Sequence, residues 1–398
     1  MKSSAQKPSS LFITSRGFTL VEVMVSVTIL VVLMMIVANF VSLVQRTWVR
    51  SNSQVSQFRE ARLAFDLLTR NLSQATLNTY WENEFENLGN DSAGQVITKA
   101  KNYIRQSELQ FVCGPTVGAN GLFATGDAQS YPGHGVFFQA PLGVTGLVPT
   151  TTNGSADTQN LVNLMCGRGY FVEWGSDESF RPAFLSTLTS VPPRFRLRLM
   201  EFSPTAEQNM IYNPSFRPII SNSKKWFQGA LNSEVQSGAE TAANRAVTRP
   251  VAENILCLVI APQNSVAATS LGGSGGGSNT QYSIAPQYAY DSTLITNPGA
   301  TAGTGGTQGT RHLLPPILKV SMVALDHLAG EQLSSNQALR QSVISTVGGL
   351  FKSASQLQSD LDGTSNEPGT LEKLLISKRL NFRIFTTSIS LKQSRWSL

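Results

Sequence analysis

The residues of this chain that could do chemistry are mostly carboxylates. Asp360, Asp362, Asn366 and Glu367 fall in the string Asp360-Leu361-Asp362-Gly363-Thr364-Ser365-Asn366-Glu367, where oxygen-bearing side chains alternate ahead of a glycine as in calcium loops. Calcium takes about six to eight oxygens. The string lacks a third early ligand and a glutamate at its twelfth position, so it is an incomplete calcium candidate. Glu173, Asp177 and Glu178 would suit paired-carboxylate acid–base work, but Trp174, Gly175 and Arg181 among them read as a charged loop. His134, in Tyr131-Pro132-Gly133-His134-Gly135, sits in a tight turn before an apolar run. It has no G-x-S-x-G elbow and no acid at a diagnostic spacing, so it reads as a structural turn histidine. Cys113, Cys166 and Cys257 are too far apart for a CxxC pair or a zinc knuckle. They read as isolated buried thiols, with a single bridge left open. His134, His312 and His327 are the only histidines, which makes a histidine-based metal centre unlike this chain.

The composition bounds the rest. The 398 residues allow two or three domains, at roughly 100–200 residues each. A hydrophobic share of 41% with 14% charged residues excludes a largely disordered chain. The net charge of +6 invites a polyanion, but Lys2, Lys7 and Arg16 supply part of it within the first 17 residues with no acid beside them. No nucleic-acid partner is expected.

Glu22 is the residue that needs an explanation. Residues 18–38 are apolar except for Thr19, Glu22, Ser26 and Thr28, which is long enough to cross a bilayer. A secretory signal has a shorter apolar region, of about 7–15 residues, and Ala38-Asn39-Phe40 is a poor cleavage site. A carboxylate deep in a membrane helix costs about 2.5–3.5 kcal/mol on insertion scales, so it should have a partner.

The string Arg16-Gly17-Phe18-Thr19-Leu20-Val21-Glu22 closely resembles the processing site of type IV prepilins and pseudopilins. The resemblance implies that an inner-membrane prepilin peptidase cuts after Gly17 and methylates the new amino terminus at Phe18. It makes Glu22 the fifth residue of the mature chain. The new α-amine of Phe18 would then pair with Glu22 of a neighbouring pilin or pseudopilin subunit, offsetting the desolvation of both charges. Charge alone leaves topology open, because Arg46, Arg50, Arg59 and Arg62 follow the span as Lys2, Lys7 and Arg16 precede it. The cytoplasmic leader and periplasmic head come from the resemblance.

No glycine or proline occurs over residues 18–88, which predicts one long helix through much of that stretch. Val41, Val44, Trp48, Val55, Phe58, Phe65, Leu68, Leu72 and Ala75 form its apolar stripe. Arg59, Arg62 and Arg70 read as a solvated face with ion pairs to Glu60 and Asp66. The expected layout is a leader over 1–17, a transmembrane helix over 18–39, an amphipathic continuation over 40–78 and a β-rich head over 79–398. Strands are expected at 109–113, 135–139, 170–173, 195–202, 254–260, 318–325 and 380–391. In the fourth of these, Arg196 and Arg198 fall on one face, and Phe195, Leu197 and Leu199 on the other. Residues 264–310 are rich in Gly, Ser, Thr, Ala and Asn, with Asp291 as the only charge, and read as a flexible insertion. They do not form a phosphate loop, because no basic residue lies within them.

The expected fold is therefore α+β, with a long N-terminal helix packed on an antiparallel sheet. Such a head is similar to that of J-type minor pseudopilins of type II secretion. The likeness rests on Val251-Ala252-Glu253-Asn254-Ile255-Leu256 and on the proline-led run from Leu314-Pro315-Pro316 to Asp326. A closer overall resemblance is to the Verru_Chthon cassette protein C family. It is carried by Val136-Phe137-Phe138-Gln139-Ala140-Pro141-Leu142, Gly169-Tyr170-Phe171-Val172-Glu173-Trp174, Asn381-Phe382-Arg383-Ile384-Phe385-Thr386-Thr387 and Arg395-Trp396-Ser397. These resemblances imply a minor subunit of a type IV pilus or secretion pseudopilus, without catalysis and without a cofactor beyond the calcium candidate. The alternative is a signal-anchored surface enzyme or binding protein whose head acts alone.

Overall fold

The computed structural model describes residues 19–118, 121–123, 127–146, 163–186, 188, 190–214, 224–235, 245–263, 284–294, 310–361, 363 and 367–394. The chain opens with α1 (Leu20–Leu72), followed by β1 (Tyr80–Asn90), β2 (Val96–Gln106), β3 (Val112–Pro115), β4 (His134–Pro141) and β5 (Met165–Ser176). Next come α2 (Ala183–Ser186), β6 (Phe195–Phe202), α3 (Lys225–Val235), β7 (Thr248–Glu253), β8 (Ile255–Gln263) and β9 (Tyr290–Asp291). The last elements are β10 (Ile317–Leu325), α4 (His327–Ser335), α5 (Gln337–Gly349), α6 (Leu357–Leu361), α7 (Thr370–Ser377) and β11 (Phe382–Ser390). All strand pairings are antiparallel, in a sheet of order β7-β6-β5-β4-β3-β9, a sheet of order β11-β10-β8 and a separate β1-β2 hairpin. This is the expected α+β, pilin-like architecture. The chain divides into two compact units, Met1–Val55 and Ser56–Leu398, with the boundary inside α1.

In the first unit, the described part of α1 exposes its apolar side chains on every side, from Leu20 to Val49. In the second, Ala61, Ala64, Phe65, Leu68 and Leu72 recur at helical spacing and are buried, with Phe58 packed beside them. The stripe thus changes character along its length: Val41, Val44, Trp48 and Val55, expected to belong to it, are exposed.

The helix ends at Leu72, short of the expected 78. Ala75, Thr76 and Leu77 are buried there, and the Thr76 amide donates to Gln139 O on β4 at 2.9 Å. That contact draws the backbone off the helical path. The glycine-free run to residue 88 then continues as β1, whose Glu82, Glu84 and Glu86 alternate with a strand's period of two.

The seven expected strands are present as β3, β4, β5, β6, β8, β10 and β11, with β6 at the expected bounds and the other six shifted at one or both ends. Within the insertion expected at 264–310, residues 284–294 fold into the core: Ile284, Ala285, Tyr288 and Tyr290 are buried, and β9 pairs with β3. Asp291 accepts hydrogen bonds from Gln110 Nε2 at 2.8 Å and from the Thr293 amide at 2.9 Å, so this charge is structural. Residues 264–283 and 295–309 lie outside the described residues.

The six-stranded sheet is covered on both faces. One carries a cluster in which Phe137 stacks on Phe227 at 4.0 Å, with Phe123, Phe171, Phe202 and Trp226 in ring contact around it. The arginine face of β6 is also buried, with Arg196 4% and Arg198 2% exposed. Cross-strand partners supply the compensation: Arg198 faces Glu173 on β5 and Glu253 on β7, and its Nη1 donates to Gly175 O at 2.8 Å. Glu173, expected in a charged loop, is a buried β5 residue held by both terminal nitrogens of Arg245, at 2.7 and 2.9 Å. Asp177 and Glu178 follow in the turn, where Asp177 faces Arg181 at 3.4 Å.

Glu201 ties α1 to this sheet. It accepts from Tyr170 Oη at 2.7 Å and from Arg249 Nε at 2.6 Å, with Arg168 Nε at 3.7 Å, while Asn71 of α1 donates to the same Tyr170 hydroxyl at 2.7 Å. One turn series earlier, Gln57 Nε2 donates to Glu253 O, and Glu60 accepts from the Glu253 amide. Burial raises the Glu60 carboxyl above its ordinary range, with the Glu253 charge adding to it and the Glu253 amide opposing. Of the expected helix-face pairs, Arg62 and Asp66 stand 3.9 Å apart, both exposed. Removing one partner of a buried pair strands the other charge and costs about 3–5 kcal/mol. Glu201→Ala should therefore lower the unfolding free energy of the full chain in detergent by that order, read by tryptophan fluorescence in urea, with Glu201→Gln losing less.

Candidate functional site

The start of α1 is the site that the sequence singles out. Gly17 and Phe18 lie outside the described residues. Thr19 precedes the helix, and its hydroxyl accepts from the Glu22 amide at 3.3 Å while its carbonyl accepts from the Val23 amide at 3.2 Å. Thr19 is therefore the N-cap and Glu22 the third helical residue, the Thr-x-x-Glu pattern of a capping box. That pattern is legible in the sequence and supplies a second role for Glu22. A carboxylate in the first turn gains roughly 0.3–1 kcal/mol from the helix dipole. This falls short of the roughly 2.5–3.5 kcal/mol cost of placing it in a membrane helix, so capping alone does not account for Glu22.

The apolar surface beyond it has no cover. The most apolar 18-residue window of α1 has a mean hydropathy of 2.8 and is 0% buried, and the helix is long and apolar enough to cross a membrane. Ser26 and Thr28, the polar exceptions, donate their hydroxyls to Val23 O and Val25 O at 2.9 and 2.8 Å. The helix thus satisfies its own hydroxyls, as an apolar solvent requires. Glu22 is left as the one ionisable group in this span, and it is exposed.

The remaining candidates have structural partners. Gly133, at φ +83° with Leu258 O only 2.7 Å from where a Cβ would stand, lets the turn before β4 press against β8. That approach buries His134, whose Nδ1 accepts from the Ile260 amide at 3.1 Å, between Tyr288 at 4.8 Å and Phe351 at 6.4 Å. A cleft lined by Pro115, Tyr131, His134, Phe351 and Lys352 opens beside it, and among the described residues no carboxylate lines it. Of the calcium string, Asp362 and Asn366 lie outside the described residues. Asp360 accepts from the Phe351 amide at 3.2 Å, and burial raises its carboxyl above the usual range. Glu367 faces Lys373 Nζ at 3.1 Å. Among the described residues no group of three or more metal-ligating side chains comes together. Cys113 on β3, Cys166 on β5 and Cys257 on β8 are buried free thiols. Burial pushes Cys113 up and Cys257 up to about 12.

Comparison with known proteins agrees with the helix start. Residues 14–38 match the family model described as the prokaryotic N-terminal methylation motif, which spans the basic end of the leader, Gly17, Phe18, Glu22 and the apolar run. The motif implies processing by a prepilin peptidase, and with the uncovered apolar helix it suggests membrane anchoring. No curated protein and no solved structure matches the chain.

The buried imidazoles make the head acid-sensitive. Burial lowers His134 to about 4, against opposing backbone interactions at Ile260 and Phe351. Burial, then the charges of Arg311 and Arg105, lower His312 to about 4. The unfolded chain titrates its histidines near pH 6.5, so between pH 6.5 and 4 it binds more protons than the folded one, and stability falls as pH falls through that window. His134 withdraws on the order of 3 kcal/mol by the end of it, and His312, whose arginine neighbours are partly screened by solvent, less. Urea unfolding at several pH values should show this decline, and His134→Asn, which keeps an acceptor near the Nδ1 position, should make it shallower.

Proposed function

We propose that this chain is a prepilin-like subunit of a type IV pilus or type II secretion pseudopilus, processed after Gly17 and assembled through its N-terminal helix. The observation that carries the reading is the methylation motif over residues 14–38, set on a helix whose membrane-length apolar span is uncovered and holds Glu22 as that span's one ionisable group. Cleavage after Gly17 places the Phe18 amine four residues ahead of Glu22 in the mature chain. In an assembled fibre, Glu22 of one subunit takes up the amine of the next, which neutralises two charges that each helix alone leaves costly in an apolar medium. The leader stays in the cytoplasm, the helix in the inner membrane, and the head lies on the periplasmic side.

The mechanism is assembly by helix packing, with no catalytic step assigned to the head. The resemblance to J-type heads favours a minor subunit, and the resemblance to the Verru_Chthon cassette protein C family favours a pilus-like assembly. Its partners are the prepilin peptidase and other pilin or pseudopilin subunits.

Intact mass and N-terminal sequencing of the protein from native membranes test the processing. The expected chain begins at Phe18 and carries one additional methyl group. Glu22→Ala should still insert into the membrane but disappear from sheared or detergent-resistant fibres. A chain that begins at Met1, or one in which Glu22→Ala assembles normally, would overturn the reading and leave an anchored head that acts alone.

A further inference from the structure

The β1–β2 hairpin stands apart from the rest of the head in its exposure. Trp81 through Asn90 and Val96 through Tyr103 are exposed on both faces, and the hairpin joins neither of the other sheets. Its base is held, since Arg105 Nη2 donates to Arg311 O at 2.8 Å. A lone two-stranded hairpin is marginal in water, and this one has strands of 11 residues each. Among the described residues, no strand pairs with the outer edge of β1 over 81–88 or of β2 over 96–103.

The register sorts its side chains into two faces. Trp81, Asn83 and Phe85 of β1 share a face with Tyr103, Ala100 and Thr98 of β2, and Trp81, Phe85 and Tyr103 are 68%, 59% and 75% exposed. On the other face, β1 carries Glu82, Glu84 and Glu86, and β2 carries Lys99. Lys101 joins that face at the bulge, its Nζ 3.7 Å from Glu86 Oε1. One edge strand is thus acidic and the other basic over the exposed half of the hairpin.

We propose that β2 of one copy of this chain pairs with β1 of a second copy, extending the hairpin into a continuous antiparallel ribbon. Charge decides which edges meet. Acidic β1 beside β1, or basic β2 beside β2, opposes like charges, whereas β2 beside β1 sets Lys99 and Lys101 between two acidic strands. The same pairing satisfies two rows of backbone groups and joins the aromatic faces of successive copies. The contact is heterologous, so it repeats from copy to copy without closing. It deepens the fibre reading by naming a partner and rests on that reading for its repetition. It also requires at least two copies side by side, which a minor subunit meets only when it is present more than once.

The test is cross-linking between differently tagged full-length chains in native membranes, one carrying Asn87→Cys on β1 and the other Thr98→Cys on β2, positions that stand level with one another in the hairpin register. Both positions are exposed, and the native cysteines are buried. Oxidation to a disulfide should join the two different chains, and chains of a single type should not join each other, because equal positions of successive copies stand two strand spacings, about 9.6 Å, apart. Replacing Lys99 and Lys101 by Glu in the Thr98→Cys chain should reduce the yield roughly tenfold. Cross-links between identical variants, or none in any combination, would overturn the proposal. Assembly that still depends on Glu22 without hairpin cross-links would fault the hairpin alone. Cross-links in a chain that still begins at Met1 would fault the fibre reading and leave the pairing standing.

Discussion

A single helix, α1, has to satisfy two media, and the rest of the structure follows from where it passes from one to the other. As far as Val49 its apolar side chains are uncovered, and from Ala61 to Leu72 the same helix buries only a stripe. An all-round apolar surface is stable only in lipid or among other apolar helices, and a stripe is stable against a sheet. The boundary between the two compact units falls between these stretches, at Val55 and Ser56.

The head holds its end of the helix by polar as well as apolar contacts. Gln57, Glu60 and Asn71 each reach the β6–β7 region or β5, and each of those attachments ends on a buried or half-buried charged network. The pairs Glu173–Arg198, Arg198–Glu253 and Glu201–Arg249 lie directly opposite one another across neighbouring strands. Slipping any of these strands by one residue would turn its charges to the other face and strand their partners. The networks therefore bind register to helix position: the sheet places Glu201 and Glu253 where α1 can use them.

The hairpin after α1 follows the opposite logic. Its charges are exposed and paired at distances that confer little stability, such as the 3.7 Å between Lys101 and Glu86. They serve discrimination between edges better than they serve the fold. The segregation of Glu to one strand and Lys to the other has no use within a single hairpin that an intermixed arrangement would not serve equally well.

The helix start was legible because local signals act there without help from distant chain. Thr19 and Glu22 are three residues apart, and the apolar run is continuous, so cap, span and odd carboxylate can be read directly from the sequence. The β6, β8 and β10 strands were legible because alternation and flanking prolines are local too. Tertiary structure decided the rest. Helix α1 stops at Leu72 because Thr76 finds Gln139, more than sixty residues away. Arg196, Arg198 and Glu173 are polar in sequence yet buried, because the strands that compensate them arrive from elsewhere in the chain. Tyr290 and Asp291 look like part of a glycine-rich loop until β3 pairs with them. Sequence reports what a residue prefers near its neighbours, and only the fold settles whether a distant partner makes a costly burial tolerable.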